Sequence, residues 1–351
     1  MYTTLIEPEE LAAPLSRNAA ADSDWVVLDC RFDLPRPDWG ASAYAAGHVP
    51  NALYAHLDRD LAGPVTPTSG RHPLPSVERL AETFGRWGID GDVQVVAYDQ
   101  GNGAFAARLW WLLRWAGHQK VAVLNGGFAA WQQAGLPTDT APGARKPRIF
   151  TPRLGRQAVV TTAELERVLS DGGLASGASV LVDARGADRF AGENETIDPV
   201  AGHIPGARNH PFMRNVDAKG KFLPAAELRE RWVATLGGVG GVGGGGGTLG
   251  AMSDRATAGG EAVSDSVAAG GGTLTGATSG SARSDRAAVL GAGTNGATDA
   301  AARAIATCGS GVTACHNLLA LEVAGLPGAR LYAGSWSEWI RDPARPVVKG
   351  S

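Results

Sequence analysis

At 351 residues the chain is too long for one ordinary hydrophobic core and suits two domains. Its formal net charge is -3, from 32 Lys and Arg against 35 Asp and Glu, so no basic excess points to nucleic acid and partners must be argued from a site. The acidic, proline-interrupted start from Met1 to Glu10 lacks the features of a secretory signal, and no apolar run approaches the roughly 20 residues of a membrane span.

The first strand pattern is Trp25-Val26-Val27-Leu28-Asp29-Cys30-Arg31, an apolar run ending in Asp-x-Arg. Gly47-His48-Val49-Pro50 follows as a turn, and then a proline-rich loop, Gly70-Arg71-His72-Pro73-Leu74-Pro75. Val95 to Asp99 reads as a short strand that runs through a glycine-bearing loop into a helical stretch from Ala106 to Ala116. Trp110, Trp111 and Trp115 on that helix have helical spacing and read as core and interface packing. Gly126-Gly127-Phe128-Ala129-Ala130-Trp131 closes the series, and residues 138–155, rich in Pro, Gly, Arg and Lys, read as a linker.

The same series then returns in the same order. Ser179-Val180-Leu181-Val182-Asp183-Ala184-Arg185 repeats the strand, and Gly202-His203-Ile204-Pro205 repeats the turn. Ala304 to Cys308 leads into a helix from Ala314 to Ala324, and Gly334-Ser335-Trp336-Ser337-Glu338-Trp339 closes the copy. Four motifs given twice in order predict two homologous α/β domains, 1–137 and 156–351, each with a mostly parallel central sheet flanked by helices. The turn histidines His48 and His203 read as structural, because both copies have them. Arg185 reads as a surface ion-pairing group. The copies differ in the interval before the last strand, which in the second copy is swollen by a segment at about 237–302. That segment is nearly all Gly, Ala, Ser, Thr and Asp, and reads as a low-complexity insertion with too few apolar residues to offset ordering entropy.

Chemistry is concentrated at Thr307-Cys308-Gly309-Ser310-Gly311-Val312-Thr313. A cysteine between an apolar strand and an apolar helix, in a loop with two glycines, can be ringed by backbone N–H groups and faces the positive end of the helix. Both effects favour a sulfur anion, so Cys308 is the expected nucleophile. Cys315, on the helix, reads as core, and Cys30 as structural because its counterpart is Ala184. Three cysteines make no disulfide framework, and free thiols fit a reducing, cytoplasmic compartment. A cysteine phosphatase would need an arginine six residues after the cysteine, where this chain has Ala314, so phosphate chemistry is disfavoured.

The duplication, the two Gly-His-(Val/Ile)-Pro turns and the Cys-Gly-Ser-Gly-Val-Thr-Ala loop resemble the tandem rhodanese family of sulfurtransferases. Within it they are most similar to the 3-mercaptopyruvate branch, because Gly309 and Ser310 stand where the thiosulfate branch carries Arg and Lys. Asp99, where a first-domain cysteine would stand, agrees with a family in which only the second domain is reactive. The resemblance implies a persulfide on Cys308, cradled by Gly309, Ser310, Gly311, Val312 and Thr313. It also implies a proton relay of Ser310, His72 and Asp58, and a carboxylate anchor at Arg189. The second anchoring arginine of the animal enzymes has no counterpart, since Gly192 to Asp198 is acidic. Implied partners are a small-molecule sulfur donor and an acceptor, either a thiol, such as that of a thioredoxin-like protein, or cyanide; no metal or organic cofactor is implied. The alternatives are thiosulfate as the donor, or a non-catalytic module that binds partners or senses sulfide.

Overall fold

The computed structural model describes residues 1–17, 23–154, 159–237 and 296–350. Among them ten strands form two five-stranded sheets, and every strand pair is parallel. The first sheet comprises β1 (Leu5–Ile6), β2 (Trp25–Asp29), β3 (Leu53–Tyr54), β4 (Gln94–Tyr98) and β5 (Val121–Leu124), in the order β1-β5-β4-β2-β3. The second comprises β6 (Val159–Val160), β7 (Val180–Asp183), β8 (Arg208–Asn209), β9 (Ala304–Thr307) and β10 (Arg330–Tyr332), in the order β6-β10-β9-β7-β8. The permutation is the same, so the duplication extends from motif to topology. The central strands β4 and β9 are buried throughout, as their apolar runs require when both faces of a parallel sheet are covered.

The repeated motifs lock onto one another in the same way in each half. Arg31 forks onto Asp29 at 2.6–3.0 Å, donates to the Gly47 carbonyl at 2.7 Å and lies over the Phe128 ring at 4.3 Å. Arg185 repeats this with Asp183 at 2.7–3.2 Å, Gly202 at 2.8 Å and the Trp336 ring at 4.8 Å. Arg185 is therefore an ion-pairing residue but not a surface one: it is buried, because it ties three motifs together beneath the loop they support. His48 and His203 hold their turns through ring nitrogens, to Tyr44 O at 2.7 Å and Phe190 O at 2.8 Å.

Helix α1 (Ala106–Trp115), which follows β4, packs against helix α2 (Thr313–Val323), which follows β9. Trp110 and Trp111 are fully buried on α1, in line with core packing. One continuous apolar cluster runs through both helices and both sheets, so the halves share a core. Residues 238–295 of the glycine-rich segment lie outside the described residues. Residues 296–302 are helical, and Ala297, Ala300 and Ala301 are buried in that shared cluster, so the composition boundary at 302 overruns the start of packed structure.

Candidate active site

Cys308 leaves β9 at the floor of a cleft of about 290 Å³ lined from both halves, and is 2% exposed. The closing motif clamps its loop. Trp336 N–H donates to the Cys308 carbonyl and Ser337 N–H to the Gly309 carbonyl, each at 2.9 Å. Gly311 has a φ of +78°, and a Cβ there would come within 2.2 Å of the Ala333 carbonyl oxygen, so only glycine fits. That turn aims the Gly311 N–H at the Cys308 sulfur, 3.1 Å away. Ser335 also faces the cysteine: its Oγ accepts from the Cys308 N–H at 3.1 Å and stands 4.0 Å from Sγ. Ser335 has a φ of +53°, whereas the first half has Gly127 at +58° in the same place. The half with the cysteine thus carries a strained serine where the other carries a glycine.

The first half shows what such a loop holds. Asp99 is buried, and its carboxylate accepts from the N–H groups of Gly101, Gly103, Phe105 and Ala106 at 2.9–3.3 Å. The loop is an anion nest filled by its own side chain. Around Cys308 the N–H groups of Gly309, Ser310, Val312 and Thr313 have no acceptor among the described residues.

His72 and Ser310, from opposite halves, meet at 2.7 Å between Nδ1 and Oγ, and His72 Nε2 lies 3.2 Å from Asp58 Oδ1. The carboxylate can only accept, which puts the ring proton on Nε2 and leaves Nδ1 to accept from the Ser310 hydroxyl. Burial lowers the pKa of His72, and Asp58 works in the opposite direction; the hydrogen bond to His72 in turn lowers that of Asp58. The three residues named from the sequence thus form one chain ending beside Cys308.

Arg189 lines the cleft, but its guanidinium forks onto Glu195 at 2.8–3.2 Å and reaches Asp198 at 3.2 Å. The acidic stretch after Arg189 therefore folds back onto the arginine. Sequence reading missed Arg71, which pairs with Asp198 through Nη1. Its Nη2 sits 2.9 Å from where a Gly309 Cβ would be, and its buried Nε has no partner among the described residues. The loop itself has no cation, yet Arg71 supplies one from the other half. Its place beside His72 was the available signal. Cys315 packs beneath the loop, donating to Gly311 O at 3.3 Å, and burial pushes its thiol up to about 12. Cys30 is buried away from the cleft, and burial raises its thiol as well.

Comparison with known proteins identifies the family. The family described as "Rhodanese-like domain" matches residues 7–134. A Pseudomonas aeruginosa protein named "Probable 3-mercaptopyruvate sulfurtransferase" is 40% identical over 348 residues, covering 99% of this chain and 98% of that protein. The thiosulfate sulfurtransferase of Cricetulus griseus is 30% identical, with 100% and 97% covered. The crystal structure of SseA from Escherichia coli, described as a 3-mercaptopyruvate sulfotransferase of rhodanese fold, superposes with a TM-score of 0.66 at 25% identity, covering 96% of this chain and 100% of that one.

Proposed function

The chain belongs to the rhodanese family and is a sulfurtransferase, and from that premise we propose that it takes sulfane sulfur from 3-mercaptopyruvate onto Cys308 and passes it to an acceptor thiol or cyanide. The observation that carries the choice of donor is the Ser310–His72–Asp58 chain. The Cys308 thiolate attacks the donor's sulfur, the C–S bond breaks, and the electron pair stays on carbon as the enolate of pyruvate. A proton must leave sulfur and another must reach that carbon, which a hydroxyl–imidazole–carboxylate chain beside the reacting atoms can do. The persulfide anion then rests on the loop N–H groups. Arg189, with Arg71 facing it, is the group for the donor's carboxylate, in competition with Glu195 and Asp198 for the same fork. An acceptor such as a thioredoxin-like thiol, in a reducing cytoplasm, fits an enzyme whose free cysteines must stay reduced.

Thiosulfate is the second reading, and Arg71 favours it. A cation over Gly309 gives a sulfonate end something to bind, although the loop sequence has none. Cys308→Ser should abolish transfer from either donor, while Cys315→Ser and Cys30→Ser keep it. Mass spectrometry of the donor-treated protein should find one added sulfur on the Cys308 peptide and none elsewhere. Transfer surviving in Cys308→Ser would overturn the mechanism, and a higher kcat/KM for thiosulfate would reverse the donor.

A further inference from the structure

Arg108 is the third residue of α1, does not face the cleft, and is fully buried. Its guanidinium donates to four carbonyl oxygens and also contacts the Cys315 sulfur, and no carboxylate among the described residues pairs with it. Nη1 reaches Gly311 O at 3.1 Å, Nη2 reaches His72 O at 3.0 Å and Pro73 O at 3.4 Å, and Nε reaches Leu61 O at 3.3 Å. Gly311 directly follows Ser310. The same fork therefore grips the backbone on both sides of the Ser310–His72 contact, one side from each half. A guanidinium is planar and rigid, so two carbonyls bound to its two Nη atoms have a fixed separation. Burial works against the charge of Arg108, while the sulfurs of Cys315 and Cys308 support it. No carboxylate among the described residues offsets the desolvation of this buried cation, whereas its fork onto the two backbones is well formed.

We propose that Arg108 is a positioning residue that sets the Ser310–His72 contact across the two halves and so controls the proton-moving part of sulfur loading. This rests on the sulfurtransferase reading above. The two donors separate it from general structural support. With 3-mercaptopyruvate, Cys308 thiolate forms the new S–S bond, the C–S bond breaks, and one proton passes from the donor's sulfur to the methylene carbon, giving pyruvate and the persulfide anion. With thiosulfate, the S–S bond of the donor breaks and sulfite departs with the electron pair, so no proton has to move.

The test is single-turnover loading of Cys308 by each donor, followed by mass spectrometry, in Arg108→Lys and Arg108→Gln. Lysine keeps the charge and loses the fork. In Arg108→Lys, loading from 3-mercaptopyruvate should fall about ten-fold or more, while loading from thiosulfate stays within about two-fold. Adding Arg108→Lys to Ser310→Ala should then cost nothing further, because both act through one contact. Equal losses with both donors, or additive losses, would overturn the proposal. Should the variants not fold, arginine side-chain NMR of the unmodified protein decides: Arg108 should show separate, slowly exchanging Nη–H signals, and a freely rotating guanidinium would overturn it. If the unmodified protein loads from neither donor, the sulfur-transfer reading fails, and the NMR result still judges the fork.

Discussion

At the scale of single residues, the acid limb that separates 3-mercaptopyruvate from thiosulfate is expected to belong to His72. Its neutral form accepts the Ser310 proton, and burial holds its pKa below the ordinary 6.5 while Asp58 pulls it upward. Relative to loading from thiosulfate, which needs the same thiolate but no proton relay, loading from 3-mercaptopyruvate should therefore hold below pH 6.5 and fall as pH drops through the lowered value. Asp58→Asn removes the upward pull, so the acid limb should move to still lower pH, with a smaller maximal rate. Rates measured across pH for both proteins check this, and a limb that moves to higher pH would contradict it. Cys308 had a local signature of its own, a glycine loop between strand and helix. Ser310, His72, Asp58 and Arg189 were named through the family resemblance alone, and the structure brings Ser310, His72 and Asp58 into one chain. Arg71 and Arg108 were not legible, since each acts on the loop of the other half, and Arg108 meets Gly311 across 203 positions of sequence. Ser335 was visible only as a departure from Gly127 in the repeat.

At the scale of elements, the motif-bearing strands were readable because buried parallel strands are short apolar runs. β1, β3, β6 and β8 were not, since each is two residues long and two residues have no period. The helix at 296–302 was hidden for another reason: alanines that pack against a core look like low complexity when glycines precede them. This sets where the second half can be shortened. Replacing 238–295 with a short Gly/Ser linker should leave folding and sulfur loading intact, because loop length costs only about 0.6 kcal/mol per doubling. Extending the deletion through Ala301 should lower the melting temperature clearly, because it removes three buried alanines from the shared core. Thermal unfolding of the two deletions makes the comparison, and equal melting temperatures would return the boundary to 302.

At the scale of the whole molecule, a polar chain runs through the second half into the first. His210 Nε2 meets Asn215 Oδ1 at 3.0 Å, Asn215 Nδ2 meets His316 Nδ1 at 3.3 Å, and His316 Nε2 meets the Asn102 carbonyl at 2.8 Å. Burial lowers both histidines from 6.5 to about 4. Between those values the unfolded chain binds protons that the folded chain does not, so this stability is present above 6.5 and is lost as pH falls toward 4. Each histidine contributes a slope of about 1.4 kcal/mol per pH unit in that window. Urea unfolding across it should show the decline, and His316→Gln should roughly halve its slope, leaving the His210 share. The nest around Asp99 has a different consequence, one of thermodynamic linkage. The first half satisfies its ring of N–H groups permanently, with a carboxylate of its own, whereas in the second half only the Gly311 N–H meets the Cys308 sulfur, and the proposed persulfide would satisfy the rest of the matching ring. Cargo and folding are then coupled: whatever binds the folded ring and not the unfolded chain raises the unfolding free energy. The melting temperature should rise by a few degrees on loading with donor and return when cyanide removes the sulfur. The protein's resistance to heat would then serve as a gauge of how much sulfur it holds.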